Sequence, residues 1–323
     1  MNRRARSSLA EAVLVVLVWA VVTSFTVASS SVARAHWKLL VLASAVCGVV
    51  VALVSVHDPS AEHRAETPHR DPVNARRACA RFSREESTTF PKSTLRPDQN
   101  EDAALVDADR GVAIVADGAT SSYGSADWSQ HLCRRFVSDR PAAEAASAER
   151  WLVETATNFT PETAASRDWW VDDASSRGAH AAYVGLTVDQ AEDGARWQAV
   201  SVGDCLLVHL RPSGGEYSLL AGFPLEHSAG FGSAPALAAS TARLVVDLPA
   251  IRIASGFALP GDAWLLMSDA LGQWALRQAE SGNPQWSLLL NGTASELRAA
   301  VDRSRADRSM VDDDVTLIRC VAA

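Results

Sequence analysis

Residues Gly111 to Ser125 read GVAIVADGATSSYGS. The apolar run Val112 to Ala116 leads into an acid and a glycine, Asp117-Gly118, followed by small hydroxyl residues. A short apolar run bounded by glycines predicts a buried strand. A carboxylate where such a strand surfaces is costly unless something compensates it. The same order recurs where Gln198 to Val202 meets Gly203-Asp204 and where Ala263 to Met267 meets Ser268-Asp269. It also runs in reverse, with Glu101-Asp102 ahead of Ala103 to Val106 and Asp312-Asp313-Asp314 ahead of Val315 to Ile318. Strands that end in an acid, combined with strands that begin with one, place those acids at one edge of an antiparallel sheet.

Two carboxylates about 4 Å apart repel by roughly 4 kcal/mol at an effective dielectric near 20. A cluster of them must therefore hold protons or cations. Oxygen-only donors select hard ions such as Mg²⁺, Mn²⁺ or Ca²⁺ over zinc. The alternative is that each is a turn acid, since Asp-Gly and Gly-Asp are common where strands end. That explanation serves any one of them better than it serves the set.

The chain has 323 residues, 48% of them hydrophobic, enough to bury a full core in one domain with an appendage. A net charge of −8, with no basic stripe interleaved with aromatics, excludes a nucleic-acid surface. Cys47, Cys79, Cys133, Cys205 and Cys320 are odd in number and form no CxxC pair. They fit neither a disulfide framework nor a zinc site, and a reducing compartment is the simpler expectation. The eight histidines show no HxH or HExxH spacing, and His57, His63 and His69 fall in a polar stretch.

Arg3, Arg4 and Arg6 precede an apolar run from Leu9 to Ala28, long enough for a bilayer and interrupted by Glu11 alone. After a loop carrying Arg34 and Lys38, residues Leu39 to Val56 form a second run without charge. Spans at 9–28 and 39–56 predict a transmembrane hairpin within residues 1–57. Basic residues on the outer flanks, including Arg64, Arg70, Arg76, Arg77 and Arg81, orient both ends to the cytoplasm. The competing assignment is a signal peptide cleaved after Ala33-Arg34-Ala35, although the first run exceeds the usual apolar core of such peptides. A buried helical hairpin is the other alternative. Residues 58–82 are expected to be a linker, within a polar, proline-containing stretch that lacks sustained periodicity as far as Asp98. The soluble domain is expected over 83–323.

Within it, Trp128, Leu132 and Phe136 have helical spacing, and Ala142 to Thr157 is an alanine-rich helix. Trp169-Trp170 suggest a further helix. Strands are expected at 181–188, 197–202, 206–210, 244–248, 263–267 and 315–321, with helices near 271–279 and 294–305. Gly222 to Ser240 is expected to be a loop. Helices grouped between runs of strands indicate an α+β architecture.

Taken in order, NED (Asn100 to Asp102), VADGA (Val115 to Ala119), VGDCLLVHL (Val202 to Leu210), PGDAWLLMSDA (Pro260 to Ala270) and DDDVTLI (Asp312 to Ile318) resemble the metal-dependent serine/threonine protein phosphatases of type 2C, the PPM family. The resemblance covers Gln99 to Ala323. It implies two antiparallel β-sheets sandwiched between helical layers, with two Mn²⁺ or Mg²⁺ ions at one end. Under that resemblance Asp117 bridges the two ions and Gly118 offers its carbonyl to one. Asp269 and Asp313 complete the first shell, with Asp314 in place of the Asn that usually follows. Glu101 and Asp102 serve the second ion, and Asp204 with Asp269 holds a looser third. Water shared by two metals then attacks phosphorus in line.

Three departures point to a divergent bacterial branch of the family. Arg96 lies six residues before Asp102, where the family's phosphate-binding Arg lies five before. The His that commonly follows the DG pair is replaced by Ala119-Thr120-Ser121-Ser122-Tyr123, and the Gly after the third motif acid is Ala270. The expected function is hydrolysis of phosphoserine or phosphothreonine on a phosphoprotein, such as a kinase-regulated signalling protein, by a catalytic domain held at the cytoplasmic side of the cell membrane. The alternatives are a pseudophosphatase that binds phosphoproteins without turnover, and a calcium-binding structural domain, although the EF-hand DxDxDG pattern is absent. A GxSxG elbow, a P-loop and a GxGxxG after a strand are also absent.

Overall fold

The computed structural model describes residues 81–92, 99–120, 122–160, 178–232, 234–241 and 250–323. The chain divides into units 1–69 and 70–323, and all described residues lie in the second. The predicted transmembrane hairpin, the linker, Arg96, Trp169-Trp170 and the 244–248 strand fall outside the described residues. Among those described, no helix is long and apolar enough to cross a membrane.

Two antiparallel sheets face each other. In the first the order is β1 (Phe82–Phe90), β11 (Val315–Ala322), β10 (Ala263–Met267), β6 (Leu206–Ser213) and β7 (Glu216–Phe223). In the second it is β2 (Ala103–Asp107), β3 (Val112–Gly118), β4 (His180–Ala191), β5 (Gly194–Val202) and β9 (Arg252–Ala258), with the short β8 (Ala238–Ala239) also on β4. The central strands are buried on both faces, so they read as continuous apolar runs rather than alternating ones. In β3, Ala113 and Val115 join the core between the sheets while Val112, Ile114 and Ala116 face helices. In β10, Trp264 and Leu266 point inward while Ala263, Leu265 and Met267 point outward.

Two helices cover the second sheet, α1 (Ser125–Asp139) and α2 (Ala145–Thr157). Trp128, Leu132 and Phe136 recur at helical spacing and all are buried against it. The Trp128 indole donates to the Ala238 carbonyl at 2.9 Å, fixing α1 to β8. Trp151 meets Phe136 and Tyr183 edge to face at 5.7 and 5.9 Å. The first sheet is covered by α3 (Asp269–Glu280), α4 (Trp286–Asn291) and α5 (Ala294–Ala306), which bury Leu271, Trp274, Leu289 and Leu297. A capping box between Thr293 and Glu296 starts α5. The layers thus run helix, sheet, sheet, helix, the expected sandwich.

Several elements were not anticipated. Residues 82–90 form a full strand, β1, paired with β11 from Phe82↔Ala322 to Phe90↔Val315. It is a polar edge strand with little burial between its ends, so it carries no apolar periodicity. β7, β9 and α4 were also missed. Gly222 and Phe223, assigned to a loop, end β7, which returns from β6 through Gly214-Gly215, both at positive φ as a two-residue hairpin requires.

Both ends of β10 carry an aspartate. Asp262, at the base of the sandwich, is fully partnered. It accepts two hydrogen bonds from the Arg211 guanidinium at 2.8 and 2.7 Å and one from the Leu259 amide at 2.9 Å, and lies 3.1 Å from His209 Nε2. Burial pushes its carboxyl up, but Arg211, the Leu259 amide and His209 together hold it below the usual range.

Helix α1 rests on a close approach at Gly185, where a β-carbon would lie 2.2 Å from the Phe136 ring. Gly185→Ala is therefore expected to force α1 off the sheet and cost about 1–3 kcal/mol in denaturant unfolding. An unchanged midpoint would show that the helix tolerates displacement.

Candidate metal centre

The opposite end of β10 opens on the acids. Register sets their positions. Pairing of Ala103 with Ala116 and of Asp117 with Ala182 brings Asp102, just before β2, beside Asp117 at the end of β3. Asp204 lies in the turn between β5 and β6, and Met267 pairs with both Leu206 and Leu317, so Asp204, Asp269 and Asp313 converge from the other sheet. The acids therefore gather at one end of the sandwich, drawn from both sheets, rather than along one sheet edge. Gly118 permits this closeness. A β-carbon there would lie 2.8 Å from the Glu101 carbonyl oxygen and 2.9 Å from Ser129 Oγ.

The electrostatics follow. The Asp117 carboxyl is pushed well above its ordinary range by burial first, then by Asp102, Asp269, Asp313 and Asp204 around it. Burial and Asp313 raise Asp269, partly offset by the Ala270 amide and by a hydrogen bond from the Asp117 carboxyl. Burial and Asp269 lift Asp204 to about 6. Asp102 is lifted to about 7, chiefly by burial, with Asp314 and Asp269 adding to it.

Asp102 is the most exacting member. Both of its carboxylate oxygens are shut off from solvent and neither has a hydrogen-bond partner of good geometry. The Thr316 and Ser268 hydroxyls lie against it and favour its charged form. Thr316 Oγ1 also pairs with Thr89 Oγ1 at 2.8 Å, and Ser268 Oγ accepts from the Thr316 amide at 2.9 Å and donates to the Asp314 carbonyl at 3.4 Å. Two orphaned carboxylate oxygens in a group of five aspartates are a donor set that a hard divalent cation satisfies. Among the described residues, no three Asp, Glu, His or Cys side chains are arranged to hold an ion as they stand. Burial and mutual repulsion raise these carboxyls, and an ammonium of the chain stands among them.

That ammonium belongs to Lys92, just past β1. It lies 2.9 Å from Asp313 Oδ1 and 3.6 Å from Glu101 Oε2, and donates to Thr120 Oγ1 at 2.7 Å. Asp314 is a brace, accepting the Lys92 amide at 2.8 Å and the Glu101 amide at 2.9 Å. Ser125 Oγ donates to Glu101 Oε1 at 2.5 Å, tying the start of α1 to the same point. Arg305, on α5, donates to the Pro91 carbonyl at 3.1 Å and to the Asp313 carbonyl at 2.5 Å. None of Lys92, Asp314 or Arg305 was assigned these contacts from sequence. A lone lysine in a polar stretch and an arginine on a charged helix carry no local signal.

The folded chain holds a proton on Asp102 between about pH 4 and 7, which the unfolded chain, with an ordinary value of 3.8, has already released. The stability this group contributes is therefore present below pH 4 and lost as pH rises through about 7. Without divalent cations, the melting temperature of Asp102→Asn is expected to change with a shallower downward slope than the wild type between pH 5 and pH 8. Added Mn²⁺ is expected to raise the wild-type value more at pH 8 than at pH 5, where protons compete. Parallel slopes in the two proteins would remove Asp102 from the titrating cluster.

No protein-family model matches the chain. A search of curated proteins likewise finds no match. Solved structures do match. PppA, described as a key regulatory component of T6SS in Pseudomonas aeruginosa, aligns at 18% identity and a TM-score of 0.52, over 76% of this chain and 99% of that one. The photosystem II phosphatase PBCP aligns at 15% identity and a TM-score of 0.50, over 74% and 98%. The likeness is one of fold, and the chain has a divergent form of the type 2C phosphatase fold.

Proposed function

We propose that this chain is a metal-dependent phosphatase that hydrolyses phosphoserine or phosphothreonine on proteins. The orphaned, buried carboxylate of Asp102 within the aspartate cluster carries the proposal, because it demands a cation at the end of the sandwich where the chain's motif acids meet. The fold is consistent with it. Asp117, Asp269 and Asp313, with the Gly118 carbonyl, would hold one Mn²⁺ or Mg²⁺, and Asp117, Glu101 and Asp102 a second. Asp204 with Asp269 would serve a looser third.

When bound, such ions supply a hydroxide at neutral pH and neutralise the phosphoryl oxygens. The residues contribute position. Asp314 and Arg305 fix the loops that carry Glu101, Lys92 and Asp313, so the acids face one another before any ligand arrives. Burial keeps bulk water from screening Asp102 and Asp117. No serine or cysteine nucleophile is required, and the described cysteines Cys133, Cys205 and Cys320 are buried thiols. The N-terminal segment, read as a membrane hairpin, would tether this activity to phosphoproteins at the cytoplasmic face.

The full chain is expected to release phosphate from para-nitrophenyl phosphate and from a phosphothreonine peptide only with Mn²⁺ or Mg²⁺. Asp117→Asn should lower turnover by on the order of 100-fold or more with an unchanged circular dichroism spectrum. Wild-type rates in that variant would overturn the site. Mn²⁺ binding with no turnover of either substrate would identify a phosphoprotein-binding module instead.

A further inference from the structure

The cation that faces the acids is part of the chain. Lys92 is only 15% exposed at its side chain, and its ammonium reaches Asp313, Glu101 and Thr120, which stand before β11, before β2 and after β3. Its backbone is clamped from two sides. The Lys92 amide donates to Asp314 Oδ1, and the preceding Pro91 carbonyl accepts from Arg305. Exposed lysine ion pairs hold little energy and need no such clamp. Here a compact point charge on a flexible stem, itself largely shielded from solvent, stands between the half-buried Glu101 and the more exposed Asp313, where one positive charge offsets repulsion among several carboxylates.

We propose that Lys92 is a tethered counter-cation that competes with divalent ions for Asp313 and Glu101, and so sets how much metal the site requires. The proposal rests on the metal-dependent reading above. Asp313 belongs to the first proposed shell and Glu101 to the second, so the one ammonium opposes both. For either carboxylate to ligate an ion directly, the ammonium must give up its contact, and the flexible stem lets it withdraw without moving the clamped backbone. Lys92 acts through the carboxylates as a positioning residue.

The test is calorimetric titration of Mn²⁺ at pH 8 into the metal-stripped full chain, comparing the wild type with Lys92→Met and Lys92→Arg, alongside metal-free melting temperatures. Lys92→Met is expected to bind Mn²⁺ roughly ten-fold more tightly, because an opposing charge a few ångströms away has gone. Its metal-free melting temperature should fall, and saturating Mn²⁺ should restore it to the wild-type level. Lys92→Arg, which keeps the charge, should bind within about three-fold of the wild type and keep its metal-free stability. Mn²⁺ affinity that is unchanged or weaker in Lys92→Met, while Asp117→Asn abolishes binding, overturns the role of Lys92 and leaves the metal site standing. Absence of Mn²⁺ binding in all four proteins overturns the metal site and the proposal together.

Discussion

Six aspartates and a glutamate occupy one end of this sandwich because two sheets terminate there together, and their mutual repulsion is the constraint around which the local structure is built. The cost of gathering unscreened carboxylates far exceeds what any single hydrogen bond returns. The chain meets it in three ways. Burial and mutual repulsion raise the carboxyls of Asp102, Asp117, Asp204 and Asp269, so each gives up its proton less readily. An ammonium is inserted between Asp313 and Glu101. Asp314 is committed to backbone amides, which stabilise its charge without adding to the cluster's appetite for cations.

β10 makes the contrast within one strand. Asp262 at its start and Asp269 just past its end are the same residue type, and although Asp262 is the more fully buried, their surroundings oppose each other. Asp262 has an arginine fork, an amide and a histidine, and needs nothing more. Asp269 has other acids for neighbours. A fold that satisfies an acid so completely at one end has the means to do so at the other. The unsatisfied end is where ligand chemistry belongs.

Much of this was legible before any coordinates. The apolar runs of β3, β10 and β11 are short, bounded and buried on both faces, so their limits show directly in the residue string, and the acids flank them. What was hidden depends on tertiary contact. β1 and β9 are edge strands whose exposed residues carry no apolar period, and they form because a neighbouring strand offers a ladder. Lys92 lies in a polar stretch without periodicity at the start of the expected domain, and only the register of β1 on β11 carries it to Asp313. The charge-compensating half of the site was invisible for the same reason that its acidic half was visible, since repeated motifs announce themselves and a single lysine does not.

The pairing of β1 with β11 also bears on how the protein is made. β11 is laid between β1 and β10, so β1 cannot join the first sheet until residues 315–322 have left the ribosome. Asp313 and Asp314 enter with that strand, and until then the Lys92 and Glu101 amides lack the carboxylate that accepts from both. The nascent chain can pair β2 through β5 early, but the acidic centre is complete only once β11 has joined the sheet. A polypeptide cut short before Asp312 would keep the residues of β1 through β10 yet lack Asp313 and the Asp314 brace, and its acidic end would be left incomplete.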